Sequence, residues 1–216
     1  MQLPNIPYRF VAIEGNIGAG KTTISKRIAE DYGYKLILEQ FTDNPFLPYF
    51  YENAERYAFP VELFFMTERH KQLQQELSQQ DLFQETIVAD YFFLKTLLFA
   101  KNNLNAEEFR LFQRLFHILN ANFPKPELLL YLHRPVDRLL ENIKGRGRSY
   151  EVDISPQYLE NIQQAYFDFF KTSENLPILI LDVEEADFLE NQQHYQMVLD
   201  CLSQTYPKGV HQIKIA

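Results

Sequence analysis

The sequence predicts an α/β domain in which a five-stranded parallel sheet is covered by helices on both faces. Three observations lead there. Short apolar runs alternate with stretches of helical period, the order that builds a parallel sheet from strand–helix–strand units. One run, Leu128-Leu129-Leu130-Tyr131-Leu132, is apolar throughout, as a strand covered on both faces requires. Near the start, Gly15-Asn16-Ile17-Gly18-Ala19-Gly20-Lys21-Thr22 fills every fixed position of the pattern G-x-x-x-x-G-K-[ST].

The elements follow in order. Arg9 to Glu14 reads as a first buried strand. Thr22 to Tyr32 carries Ile24, Ile28 and Ala29 at helical spacing, and Gly33 sits where a C-cap falls. Strand, glycine loop and helix thus come in the order a phosphate site needs, with a helix N-terminus facing the anion. Glycines let the backbone curl so that its N–H groups cradle phosphate oxygens. Lys21 adds a mobile charge for the outer phosphates, and the Thr22 hydroxyl can ligate a phosphate-bound Mg²⁺.

Lys35 to Leu38 reads as a second strand ending at Glu39. Asp43 to Tyr57, rich in aromatics and proline, predicts short irregular helices. Phe59, Leu63, Met66, His70, Leu73 and Leu77 recur at three- and four-residue steps, so Phe59 to Gln80 predicts a long amphipathic helix. Thr86 to Ala89 is a third strand ending at Asp90, followed by a helix through about Lys101. Another helix runs from Asn105 to Asn122, with Asn105 and Glu108 placed as a capping box. After the 128–132 strand, Pro135 opens a helix at its first position. Ser155-Pro156 caps a helix to about Thr172, and Ile178 to Leu181 is the fifth strand. A last helix, about Glu185 to Ser203, precedes a short tail.

Composition narrows the function. A chain of 216 residues fits one domain, here taken as 1–216. A net charge of −8 argues against a general nucleic-acid or membrane-surface binder, so a nucleotide site must gather its positive charge locally. No apolar run approaches membrane-spanning length, and the N-terminus lacks a signal peptide's basic and apolar regions. Cys201 is the single cysteine, which leaves no internal disulfide and fits a reducing cytoplasm; its place on an amphipathic helix reads as inert core. The five histidines show no H-x-x-x-H spacing, so no structural metal is expected.

Ligands of parallel sheets bind at the carboxyl ends of the strands. Glu39 and Asp90 are acids at two such ends, on the rim of the phosphate loop. A second basic feature is Lys144-Gly145-Arg146-Gly147-Arg148: guanidinium groups hold phosphate bidentately, and flanking glycines let a segment swing. Beside a phosphate loop it predicts a lid at about 144–152.

These residues together resemble the deoxynucleoside kinases, in particular the bacterial deoxyadenosine/deoxyguanosine kinase branch, from about Tyr8 to Phe170. Ile13 to Thr23 is similar to that family's phosphate loop nearly residue for residue, and Glu39 sits where the family keeps the carboxylate that deprotonates the sugar 5′-hydroxyl. Tyr51-Glu52-Asn53-Ala54-Glu55-Arg56-Tyr57-Ala58-Phe59 resembles the segment whose tyrosine contacts the 3′-hydroxyl. Arg146-Gly147-Arg148-Ser149-Tyr150-Glu151 resembles the lid, whose glutamate also reaches that hydroxyl.

Two departures stand out. Where the family pairs Gln with Arg to read the base, the spacing here gives Glu62 and Arg69. Where it has Asp/Glu-Arg-Ser after the third strand, this chain has Asp90-Tyr91-Phe92, or Gln84-Glu85-Thr86 in another register; neither holds the arginine. Lys95 or a lid arginine is the substitute, and the family's base-contacting aspartate is absent near Lys95 and Thr96.

The resemblance implies a P-loop kinase fold, ATP and Mg²⁺ as cofactors, and transfer of phosphate to a deoxynucleoside, purines preferred. Gly15, Asn16, Ile17, Gly18, Ala19, Gly20, Lys21, Thr22 and Thr23 would hold ATP with Arg146 and Arg148. Thr22 and Asp90 would hold the metal. Glu39, Tyr51, Glu62, Arg69, Asp90 and Glu151 would line the substrate site, and Glu39, Lys21, Arg146 and Arg148 would carry the chemistry. Phe46, Phe64, Phe92 and Tyr91 are candidates to sandwich a base. A homodimer is expected, since Phe93, Leu97, Leu98, Phe109, Phe112, Leu115, Phe116 and Leu119 exceed what one face against a sheet requires. The alternatives are a thymidylate-like nucleoside-monophosphate kinase, which needs acceptor-side arginines, and a nucleotide-binding module without turnover.

Overall fold

The computed structural model describes residues 3–39, 44–78, 86–120, 123–151, 153–188 and 190–215. Its strands are β1 (Phe10–Gly15), β2 (Lys35–Ile37), β3 (Ile87–Ala89), β4 (Leu128–His133), β5 (Pro177–Asp182) and β6 (Gly209–Lys214). Its helices are α1 (Lys21–Tyr32), α2 (Leu47–Glu52), α3 (Ala54–Ser78), α4 (Lys95–Asn103), α5 (Ala106–Asn120), α6 (Val136–Arg146), α7 (Pro156–Thr172) and α8 (Gln192–Leu202), with a 3₁₀ turn at Ser149–Glu151. The strands form one sheet in the order β2-β3-β1-β4-β5-β6, every pair parallel.

Alternation along β4 divides the core. Leu128, Leu130 and Leu132 pack with Ile24 and Ile28 of α1, Leu139 and Ile143 of α6, and Val198 and Leu199 of α8. Leu129 and Tyr131 face the opposite layer, against Ile162, Tyr166 and Phe170 of α7. Phe10, Ile87 and Ala89 continue that second layer against α3, α4 and α5. None of the described helices is long and apolar enough to cross a membrane. Among the described residues no cluster of metal-ligating side chains forms either, and Cys201 is buried on α8.

The structure corrects the reading of the sequence in several places. The sheet has six strands, because the expected tail pairs with β5 from Pro177↔Gly209 to Asp182↔Lys214. That segment, Gly-Val-His-Gln-Ile-Lys, is only half apolar, as an edge strand with one covered face allows. The long helix starts at Ala54 rather than Phe59: Asn53 Oδ1 accepts the Arg56 amide at 3.2 Å, a cap that opens the helix six residues before Pro60. Its expected end at Gln80 lies outside the described residues, as do Asp43, Asn122 and the alternative register at 84–85. α8 starts at Gln192, where Asn191 Oδ1 accepts the amides of Gln193 and His194, and not at Glu185. Pro135 is the cap of α6 rather than its first residue.

The capping box of α5 forms as expected, with Asn105 Oδ1 accepting from the Glu108 amide at 2.9 Å and Glu108 Oε2 accepting from the Asn105 amide at 3.3 Å. Ser155 Oγ caps α7 at the Tyr158 amide, and α1 ends at Gly33.

Candidate active site

The phosphate loop is the turn from β1 into α1, and two of its glycines are dictated by close approach. A Cβ on Gly15 would lie 2.8 Å from the Leu132 carbonyl oxygen. A Cβ on Gly18, where φ is +82°, would lie 2.7 Å from that of Leu139. Three side chains fix the loop's shape. Asn16 Oδ1 accepts the Ile17 amide at 2.8 Å while its Nδ2 donates to the Leu159 carbonyl at 2.8 Å. Asn142 Nδ2 donates to the Gly18 carbonyl at 2.8 Å. Lys21 Nζ donates to the carbonyls of Gly15 and Asn16 at 3.0 and 2.8 Å. Burial, then the nearby Lys95 cation, pushes the Lys21 ammonium down to about 8, against the pull of Glu14, Glu39 and Asp90. Ala19 is wholly buried and offers only backbone.

Beyond β3, Asp90 works in two directions. Its Oδ2 accepts the Thr22 hydroxyl at 2.6 Å, and its Oδ1 accepts the Glu39 amide at 2.6 Å. The expected placement of Asp90 on the loop's rim is therefore the observed one, and the Asp90-Tyr91-Phe92 register follows β3 directly. Beneath it, buried Glu14 accepts the Phe92 amide at 2.6 Å and the Tyr166 hydroxyl at 2.8 Å.

Glu39 stands at the centre of the site. Arg69 Nε and Nη2 donate to its Oε1 at 2.9 and 2.5 Å, and Lys95 Nζ reaches its Oε2 at 2.5 Å. Burial alone would raise the Glu39 pKa; Lys95 and Arg69 outweigh it and hold the carboxyl well below the usual carboxylate range. The remaining Arg69 nitrogen, Nη1, donates to Thr96 Oγ1 at 2.9 Å.

Glu62 and Arg69 both line the cavity but take different partners. Both lie on one face of α3 and both are buried, at 2% and 3% exposure, but they part company. Arg69 turns to Glu39, whose ionised carboxylate takes two of its nitrogens. Glu62 Oε1 accepts from Asn103 Nδ2 at 2.6 Å, while Oε2 is buried with no hydrogen-bond partner among the described residues. Burial pushes the Glu62 carboxyl up to about 7, against Arg69, Asn103 and Lys95. A carboxyl so placed can both donate and accept when protonated and only accepts when ionised.

Over the site come two arginines. Arg146 is in the last turn of α6, not on a free loop, and Arg148 follows Gly147. Arg146 bonds Glu151 Oε2 through Nε (3.1 Å) and Nη2, and Arg148 Nη1 lies 3.3 Å from Glu151 Oε1. The expected swinging lid is thus half helix, and its glutamate is engaged with its own arginines. Tyr51 stacks on Tyr150 with ring centroids 6.4 Å apart. Burial, and then Glu151, raises the Tyr51 phenol, which stays protonated as a donor.

A cavity of about 930 Å³, counting its open mouth, joins these groups, reaching from Ile17, Lys21 and Thr22 to Glu39, Tyr51, Glu62, Arg69, Asp90, Arg146, Arg148 and Glu151. Thr23 does not line it. Of the expected aromatic sandwich, Phe46, Phe64, Phe92 and Tyr91 all lie outside the lining; Tyr91 is buried with its hydroxyl on Gln72. The walls come instead from Phe50, Phe65, Phe99 and Tyr158. In a chain with 19 Phe and 13 Tyr nothing local marks which rings face the ligand. Asn103, which holds Glu62, carries no sequence signal at all.

Comparison with known proteins matches this geometry. A family model described as deoxynucleoside kinase covers residues 11–206. The deoxyguanosine kinase of Bacillus subtilis strain 168 is 32% identical over 193 residues, 88% of this chain and 93% of that protein. The deoxyadenosine kinase of Dictyostelium discoideum is 31% identical over 194 residues, 87% of this chain and 77% of its own. Among solved structures, deoxyadenosine kinase from M. mycoides with bound dATP superposes with a TM-score of 0.77 at 26% identity, covering 90% of this chain and 100% of that one. A family match over nearly the whole chain, with the phosphate loop and the Glu39 site inside it, means that the protein is a kinase and belongs to the deoxynucleoside kinase family.

Proposed function

We propose that this protein transfers the γ-phosphoryl group of ATP to the 5′-hydroxyl of a purine deoxynucleoside, deoxyadenosine or deoxyguanosine. The observation that carries the reading is the chain of contacts from loop to base. Thr22 binds Asp90, Asp90 binds the Glu39 backbone, and the Glu39 carboxylate opens into the same cavity as Lys21. A sugar hydroxyl resting on Glu39 would face a phosphoryl group held by the loop.

In this reading Glu39 accepts the 5′-hydroxyl as an ionised carboxylate at every working pH. Its depressed pKa makes it a weak base, so the proton moves late, once bonding to phosphorus has acidified the oxygen. Lys21 and the loop amides hold the outer phosphates, and Arg146 and Arg148 neutralise charge that develops in transfer. Thr22 and Asp90 offer the hard oxygen donors that Mg²⁺ takes, side by side; the ion would supply Lewis-acid polarisation of the phosphates. Tyr51 donates to the sugar 3′-hydroxyl, and the free oxygen of Glu62 meets the base.

Arg69 gives two of its nitrogens to Glu39 and Tyr91 brings no charge, which suits an uncharged hydroxyl rather than a monophosphate. The purine preference also agrees with the names of the relatives, several of them deoxyguanosine or deoxyadenosine kinases. We further propose a cytoplasmic homodimer: Leu111 and Ile118 of α5 stand 51% and 72% exposed on one helix face. The deciding experiment is turnover with MgATP on a panel of deoxynucleosides and their monophosphates. Deoxyadenosine or deoxyguanosine should be best by kcat/KM, deoxycytidine next and thymidine poor. A monophosphate as best acceptor overturns the reading.

A further inference from the structure

The position that follows Asp90 is Tyr91, and its side chain is buried with its hydroxyl on Gln72 Oε1 at 2.8 Å, so it brings no charge to the reacting end of the cavity. Yet that end is not short of cations. Lys95 enters it from the first turn of α4, one turn beyond Tyr91, with only 8% of its side chain exposed. Its ammonium rests on Glu39 Oε2, 5.4 Å from the centre of the Phe99 ring, and it lines the cavity together with Lys21.

A buried lysine needs a reason, and a structural ion pair is not sufficient here. Glu39 is already held by two nitrogens of Arg69, so a second cation is not required to fix it. Lys95 also lies near enough to Lys21 for the two ammonium groups to repel, with Glu14 and Glu39 between them as partial compensation. Two cations kept close in a desolvated pocket store an unfavourable interaction that a shared anion relieves. The anion that arrives between the phosphate loop and Glu39 is the phosphoryl group in flight.

We infer that Lys95 is a catalytic residue: its ammonium contacts the oxygens of the transferring phosphoryl group and the Glu39 carboxylate together, supplying from α4 the charge that Tyr91 does not. The inference rests on the phosphotransfer reading above. Arg69 has the other half of the task, orienting Glu39 through a planar fork, while Lys95 has the mobile point charge that can follow a group as it moves.

The test is steady-state turnover of the best deoxynucleoside by wild-type protein and by Lys95→Met, Lys95→Arg and Lys95→Ala. Wild-type turnover establishes the underlying reading independently, and its absence on every deoxynucleoside sinks that reading. Given an active wild type, Lys95→Met should lose about 10²–10³-fold in kcat with nucleoside KM and ATP affinity changed by less than about fivefold. Lys95→Arg should keep kcat within about tenfold of wild type, because it keeps the charge. A folded Lys95→Met with kcat within about fivefold of wild type, or one whose whole defect is in nucleoside KM, overturns the assignment. Lys95→Ala carries the test if Lys95→Met does not fold. Turnover restored by added ethylammonium supports a charge acting on the reaction, and turnover indifferent to it overturns one.

Discussion

Asp90 holds Glu39 by its backbone: the Glu39 amide donates to Asp90 Oδ1 at 2.6 Å, while the other oxygen of the same carboxylate takes the Thr22 hydroxyl. One side chain thus sets the spacing between the metal-and-phosphate end and the acceptor end. Asp90→Ala should release both and cost ~10²-fold in kcat, the usual consequence of roughly an ångström of misplacement. The midpoint of Mg²⁺ activation should rise in the same variant. If kcat holds and only the Mg²⁺ midpoint moves, the bond to Glu39 has no catalytic weight.

Lys21→Ala removes the ammonium that rests on the loop carbonyls of Gly15 and Asn16, the cation proposed to hold the outer phosphates. Turnover should fall by ~10²-fold or more with the circular dichroism spectrum and thermal midpoint close to wild type, since the loop's shape is also fixed by Asn16 and Asn142. A folded variant with unchanged kcat rules out the loop's role.

Glu39→Gln keeps the shape and loses the proton acceptor, costing ~10²–10⁴ in kcat. Because the native carboxyl is held well below its ordinary value, wild-type kcat should show no acid limb from this group between pH 5 and 8. Its stabilising contribution is present above the unfolded-state value and disappears only as pH falls through the depressed native one. Activity within a few-fold of wild type would make Asp90 the next candidate base.

Glu62 behaves in the opposite sense. Its native pKa is raised from the ordinary 4.5 to about 7, so the folded protein binds a proton more tightly than the unfolded chain across that window. Stability should therefore fall as pH rises from about 4.5 to 7 and level off above, and Glu62→Gln should flatten the slope in urea titrations. The base preference should move with it. Protonated Glu62 both donates and accepts, which suits the amino group and ring nitrogen of adenine; ionised Glu62 only accepts, which suits the N1 and N2 donors of guanine. The ratio of kcat/KM for deoxyguanosine over deoxyadenosine should rise between pH 6 and 8 in wild type and stay level in Glu62→Gln, with ATP affinity unchanged in both. A ratio independent of pH places the base elsewhere.

The expected dimer is checked by light scattering at micromolar concentration, where Ile118→Asp should shift the mass from two chains to one. A wild-type monomer counts against it.

The parts of the fold legible in the sequence are those whose physics is local. The phosphate loop needs glycine at fixed steps, β4 needs an unbroken apolar run, and the α5 capping box needs two polar residues three apart; each is visible as letters. β6 was not legible because its two large apolar residues, Val210 and Ile213, lie three apart on opposite faces and show no alternation, and its partner strand lies a helix away. The destination of Arg69 was hidden for a related reason. A guanidinium on the right helix face has several acceptors within reach, and only the folded position of Glu39, thirty residues earlier, decides among them. The lid was legible as charge but not as shape, since Gly145 is simply accommodated in the last turn of α6.

Glu151 takes three bonds from Arg146 and Arg148, most of what a carboxylate can accept. A phosphate group, which carries up to two charges, would compete for those guanidiniums, and each arginine drawn away would free an acceptor site on the carboxylate. The nucleoside's hydroxyl can then take the place that the arginine left. On the phosphotransfer reading proposed above, an exchange of partners at Glu151 would couple the two substrates, each raising the affinity for the other by the same factor.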